Sequence, residues 1–294
     1  MPSNLEFGFL NIDKPFGVTS HGVVAQVRRE LGVKKVGHAG TLDPLATGVL
    51  VLCLGPATRL SQYAMQSVKR YQAHVHLGVV TETWDAEGKI VQERDASSIT
   101  KDMVARALAT FVGAIEQVPP MYSAIKQGGR KLYQLARAGK TVERRARQVQ
   151  IDKLALVDWS PPLLTVDVTC GTGTYIRSLA YDLGEMLGVG AHLAGLVRAA
   201  SGHFYLEHSV KIDKLLSSEN WQEHLLPPDT VLMHWPAIML DEAMRQHILH
   251  GRAIMRDHQT PGDWARAYGP DGQFLAILRS DDGIWRPHKV FLAR

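Results

Sequence analysis

Cysteine is nearly absent: two residues in 294, Cys53 and Cys170, each inside an apolar run. One distant pair makes no disulfide framework, and neither thiol has partners at zinc-ligand spacing. Both are expected to be reduced core residues of a cytoplasmic protein. Long hydrophobic runs are lacking too. The longest, GVLVLCLG from Gly48 to Gly55, falls far short of the roughly 20 residues a bilayer-spanning helix needs, and no membrane association is expected. The stretch MPSNLEFGFLNIDKP has no basic start followed by an apolar core, so no secretory signal is expected. The histidines, among them His74, His76, His247 and His250, form no coherent ligand set. No metal and no organic cofactor are expected. Repeats and low-complexity tracts are missing as well.

What is present is an uneven charge. Between Lys126 and Lys153 stand nine basic residues (Lys126, Arg130, Lys131, Arg137, Lys140, Arg144, Arg145, Arg147 and Lys153) against two acidic ones, Glu143 and Asp152. That segment carries +7 while the whole chain carries +4, which leaves −3 elsewhere. A basic element on a mildly acidic body suits a polyanion held at one place; it equally suits a solvated helical face.

Residues 7 to 13 pattern as a first strand, and Thr19 and Ser20 supply cap chemistry for a helix from about His21 to Leu31. From Tyr71 to Val79 apolar residues alternate with Gln72, His74 and His76, which predicts one half-buried strand. A capped amphipathic helix is expected over 100–112, a short one within RKLYQLARAG, and a third in TYIRSLAYDLGEMLG, with Ile176, Leu179, Leu183 and Leu187 on one stripe. LLTVDVTC reads as a strand. SSENWQEHLLPPDT reads as a linker to a last β-rich segment from about Pro236, in which His247 to Gln259 fits no pattern. The whole is α+β, with an insertion and a C-terminal module.

One segment concentrates chemistry. Gly37-His-Ala-Gly-Thr-Leu-Asp-Pro-Leu-Ala-Thr-Gly48 holds three glycines, an imidazole and a carboxylate within twelve residues. Glycine lets backbone approach a ligand, and Pro44 biases Asp43 toward an extended geometry. Taken alone, this is a catalytic loop or an ordinary Asp-Pro turn.

GHAGTLDPLATGVLVLCLG resembles the catalytic motif of the tRNA pseudouridine synthase B family. So, in the family's order, do DKPFGVTSHGVV, KRYQAHVHLGVVTETWDAEG, the run from Val118 to Val149, and the run from Gly171 to Phe204. Five colinear segments covering nearly all of residues 7 to 204 are far more specific than one loop. The resemblance implies a central mixed, largely antiparallel sheet with flanking helices as a catalytic domain over 1–232. It also implies an RNA-binding insertion at about 119–150 and a small C-terminal β-barrel of PUA type over 233–294. The implied activity is isomerisation of uridine to pseudouridine at position 55 of the tRNA T loop, after the base is flipped into a pocket, with possible help to tRNA folding.

Asp43 matches the family's catalytic carboxylate. Tyr71 would stack on the base and could also take part in removing the C5 proton, and Arg177 would pair with the aspartate and keep it ionised. Tyr175 and Leu196 would line the pocket, and His38 would help hold the flipped-out RNA. The insertion would close over the T arm, with Lys126, Arg130, Lys131, Arg137, Lys140, Arg144, Arg145 and Arg147 toward phosphates. No protein partner is expected, and the chain is expected to act as a monomer. Two rivals remain: a non-catalytic RNA-binding protein on the same scaffold, and a nucleosidase or glycosidase. The latter usually needs two cooperating carboxylates, where the matched segments supply one.

Overall fold

The run GFLNIDK forms the strand Gly8–Lys14, buried on both faces, and pairs antiparallel along its length with Ala46–Leu54. Continuous apolar stretches such as VLVLCL belong in strands covered on both sides. The computed structural model describes residues 7–257 and 260–291. In its principal sheet the strand order is Val210–Lys211, Gly8–Lys14, Ala46–Leu54, Ala191–Ser201, Lys69–Leu77, Leu163–Cys170, Arg147–Ser160, Gly113–Gln117. Gly8–Lys14 runs parallel to Val210–Lys211, and Ala46–Leu54 parallel to Ala191–Ser201; the other neighbours along this path are antiparallel. The sheet is thus mixed and largely antiparallel, as the sequence implied.

Side-chain alternation sorts these strands between two cores. Leu10, Ile12, Leu50 and Leu52 face one that also takes Val23 and Val27 of the helix Ser20–Glu30, Val104 and Leu108 of Lys101–Thr110, and Leu179 and Leu183 of Ile176–Met186. Phe9, Val49, Val51 and Cys53 face the other, closed by Phe204, Leu232, Ile277 and Phe291. The first two of these helices are capped at their starts: Thr19 Oγ1 accepts from the Gly22 amide at 2.9 Å, and Thr100 Oγ1 from the Met103 amide at 3.3 Å. Burial pushes the Cys53 thiol up to about 12 and that of Cys170 to about 11, so both remain inert thiols.

Three expectations need correction. The strand expected over 71–79 stops at Leu77. Gly78 takes φ +85°, and a Cβ there would sit 2.6 Å from the Arg94 carbonyl oxygen. Val79–Thr81 therefore opens a separate hairpin with Ile90–Glu93. The segment read as a linker is pinned to the sheet: Leu225 is buried, and Leu226 exchanges backbone hydrogen bonds of 3.0 and 2.8 Å with Phe9. The unpatterned stretch contains the end of a helix, Glu242–Leu249, and the strand Ile254–Met255, while His258 and Gln259 lie outside the described residues.

The C-terminal segment folds into a five-stranded sheet ordered Ala237–Met239, Trp264–Tyr268, Phe274–Asp281, Ile284–Val290, Ile254–Met255, around its own core of Leu240, Ile248 and Trp285. This is the small β-module that the PUA-type reading implied. The basic segment contains a hairpin of Lys126–Gln127 with Arg130–Lys131 and the helix Leu132–Arg137, then leads into Arg147–Ser160. Among the described residues, no helix is long and apolar enough to cross a membrane.

Candidate active site

The loop between Val36–His38 and Ala46–Leu54 is held by groups from well-separated parts of the chain. Ser20, first residue of its helix and buried, donates from Oγ to the Leu42 carbonyl and accepts from the Leu42 amide, both at 2.8 Å. The Gly17 amide donates to the Pro44 carbonyl at 2.9 Å. From the neighbouring strand Ala191–Ser201, fully buried Arg198 reaches the carbonyls of Gly40 at 3.0 Å and Thr41 at 3.4 Å while its Nε donates to Val49 at 2.6 Å. Lys14, also without exposed surface, donates to the carbonyls of Pro15, Val18 and Pro44. Burial lowers its ammonium to about 8, with Asp43 pulling the other way. Gly48, at φ +92°, lets the two parallel strands meet, since a Cβ there would lie 2.4 Å from the Arg198 carbonyl oxygen. A loop pinned this thoroughly presents Asp43 in one geometry.

Arg177 stands in the first turn of Ile176–Met186, and its guanidinium bridges two carboxylates. Nη2 lies 3.0 Å from Asp43 Oδ2, and Nη1 lies 3.4 Å from Asp85 Oδ2. Nη2 also donates to the Tyr122 carbonyl at 2.8 Å, at the root of the basic segment. The helix start is fixed by Gln117, whose amide accepts from Tyr175 N at 2.7 Å and donates to Tyr175 O at 3.0 Å. The two carboxylates differ in access. Asp43 keeps 37% of its side-chain surface open; Asp85 keeps 4%. Asp85 is further occupied by the Thr83 hydroxyl and the Glu87 amide. Burial pushes the Asp43 carboxyl above its ordinary value, Arg177 opposes this, and Asp85 adds to it. Asp85 was invisible in the sequence reading. It supplies a second carboxylate, yet one consumed in holding Arg177, so the two-carboxylate arrangement of a glycosidase is not met.

The other sequence candidates fall at different distances from this centre. Tyr71 and Leu196 belong to the same core face, in strands that neighbour each other in the sheet, with Tyr71 directly opposite Arg198. Burial pushes the Tyr71 phenol up, so it stays protonated near neutrality. His38 lies on its short strand beside the loop; burial lowers its imidazole, and its Nδ1 is enclosed without a partner. Tyr175 is half-buried and contributes the cap position of the Arg177 helix.

Most of the basic residues are exposed: Lys126, Arg130, Arg137, Lys140, Arg145 and Arg147, with Lys131 half-buried. Arg144 departs from them. Its guanidinium lies 5.1 Å over the Trp84 ring and donates to the Pro119 carbonyl at 3.1 Å, and Trp84 stacks at 4.3 Å on Tyr181. Trp84 takes φ +63°, a left-handed conformation costly for a bulky residue, right beside Asp85. Arg144 therefore works as a strut between the basic segment and the Asp85 turn.

Comparison with known proteins agrees with this architecture. The model described as "TruB family pseudouridylate synthase (N terminal domain)" matches residues 28–176, and "tRNA pseudouridylate synthase B C-terminal domain" matches residues 177–248. The chain is similar to tRNA pseudouridine synthase B of Cupriavidus metallidurans, at 45% identity over 301 residues covering 99% of this chain and 96% of that one. It is also similar to tRNA pseudouridine synthase B of Pseudomonas aeruginosa, at 42% identity over 290 residues covering 96% and 95%. Among solved structures, one from the crystal structure of a Cbf5-Nop10-Gar1 complex superposes with a TM-score of 0.75 at 27% identity, covering 98% of this chain and 85% of that one. Fold and matches together define the class, an enzyme that isomerises uridine to pseudouridine. Within that class the chain belongs to the TruB family of pseudouridylate synthases.

Proposed function

We propose that the chain converts the T-loop uridine at position 55 of tRNA to pseudouridine, with Asp43 as catalytic carboxylate. The observation that carries this reading is the Asp43–Arg177 pair: one carboxylate left partly open in a pinned loop, oriented by a buried guanidinium. The substrate class follows from relatives named tRNA pseudouridine synthase B at 42–45% identity over nearly the whole chain.

In the net reaction the N1–C1′ bond breaks, a C5–C1′ bond forms, C5 loses a proton and N1 gains one. Nothing is oxidised and no water is consumed. An ionised Asp43 can divide this displacement into two easier steps, either covalently or by stabilising a cationic sugar. Arg177 favours the ionised form and fixes its direction, and Asp85, itself held by the Thr83 hydroxyl and the Glu87 amide, fixes Arg177 in turn. Tyr71, on the same core face as Leu196, stacks on the flipped base and stands where it can also take part in removing the C5 proton. The exposed cations of the insertion would meet T-arm phosphates while the C-terminal module adds affinity. The enzyme would act in the cytoplasm as a monomer.

The test uses unmodified tRNA transcript. Conversion of one T-loop uridine to an isomer of identical mass supports the reading. Release of uracil would support the nucleosidase alternative, and unchanged RNA with tight binding would support the non-catalytic one.

A further inference from the structure

A cleft of about 600 Å³ opens where the catalytic body meets the C-terminal sheet, and it shares no residue with the Asp43 site. Its walls carry Tyr63, Trp235, Trp264 and His288 together with Ser201. The rings form one cluster: Trp235 stacks on Trp264 at 5.4 Å and 15°, Tyr63 meets Trp235 edge-on at 5.2 Å, and His288 meets Trp264 at 5.0 Å. Tyr63, Trp235 and Trp264 are only half-buried, so aromatic surface stays open. Two observations argue against simple packing between modules. Ser201 is 1% exposed, and its Oγ has no hydrogen-bond partner, although an unmet buried hydroxyl is costly. In addition, among the described residues no carboxylate lines the cleft, while cations lie over its rings: Lys289 Nζ is 5.0 Å from Tyr63 and the Arg279 guanidinium 5.7 Å from Trp264.

We propose that this cleft binds an unstacked nucleobase of the RNA substrate, at a second site distinct from the one that receives the reacting uridine. Every base offers a π-face to aromatic side chains, its edge can satisfy the Ser201 hydroxyl, and its flanking phosphates suit the cations at the rim. The choice of RNA over a free nucleotide rests on the proposed function and on charge: Lys289 and Arg279 stand over the cleft's rings, where the phosphates on either side of a bound base would lie.

The test measures equilibrium binding of labelled unmodified tRNA across a salt series for the wild type, Trp264→Leu and the exposed His288→Ala, with thermal melting to confirm folding. The expected result is affinity about ten-fold lower in Trp264→Leu and several-fold lower in His288→Ala. The log–log salt slope should be unchanged, because stacking releases no counterions. The single-turnover rate at saturating enzyme should also be unchanged. Wild-type affinity in a folded Trp264→Leu overturns the proposal; should that variant fail to fold, wild-type affinity in His288→Ala overturns it. Titration with uridine monophosphate, read by tryptophan fluorescence, separates the sources: saturable quenching with undiminished tRNA affinity in the variants overturns the RNA assignment. The inference goes beyond the catalytic reading. An inactive wild type that still shows cleft-dependent binding would count against that reading alone.

Discussion

Arg177 favours the ionised form of Asp43 against burial, and this fixes the direction of a pH effect. Burial raises the Asp43 carboxyl, so the acidic limb of turnover should lie above the ordinary carboxylate range. Arg177→Met removes the positive charge that favours the ionised form. The carboxyl then rises further, the limb moves to higher pH, and turnover falls far more than tRNA affinity. Single-turnover rates from pH 5 to 9 check this; equal losses in rate and affinity with an unmoved limb would place Arg177 on phosphate instead.

At this scale the sequence is legible only in part. Asp43, Tyr71 and Arg177 stand in runs that resemble a known family and match its site residues. Asp85 and Arg198 stand in those runs too, yet nothing local separates Asp85 from any turn aspartate or Arg198 from any strand arginine. Their meaning resides in partners far along the chain: Arg198 reaches Val49 and Gly40 across 149 and 158 residues. No local period records such a bond.

Two elements carry testable consequences. The helix Ile176–Met186 packs so closely on Ala191–Ser201 that a Cβ on Gly184 would sit 2.1 Å from the Ala191 amide nitrogen. Gly184→Ala gains about 1 kcal/mol of helix propensity but overpacks a rigid contact, at a cost of about 1–3 kcal/mol. The net expectation is a lower melting midpoint and reduced turnover, because the helix also positions Arg177; a higher midpoint with normal turnover would contradict this. The basic insertion is the second element. Reversing Arg130, Lys131 and Arg137 should weaken tRNA binding and flatten its salt dependence by roughly one log–log unit per lost phosphate contact. The chemical step on bound RNA should change less. An unchanged slope would make the segment a solvated face.

Element boundaries were readable where capping or periodicity is local, as at Thr19 and Thr100. They failed where tertiary contacts decide. The strand ends at Gly78 because its left-handed φ of +85° turns the chain toward Arg94, whose amide donates to the Gly78 carbonyl, and Leu226 becomes sheet edge because Phe9 offers it hydrogen bonds.

Across the whole molecule, one sheet serves two tasks from its two faces. One face is covered by the helices that bring Ser20 and Arg177 to the Asp43 loop, and the other seats the C-terminal module. Alternating burial in VLVLCL makes both possible, since odd and even positions feed different cores. The central claim joins this architecture to one carboxylate, and it is tested most directly by a single-turnover assay of wild type and Asp43→Asn on unmodified tRNA. The prediction is stoichiometric conversion of one T-loop uridine to a mass-identical isomer by the wild type. The variant should bind tRNA within a few-fold of the wild type and form no product. Normal turnover by Asp43→Asn, with deamidation excluded by mass spectrometry, would contradict the account.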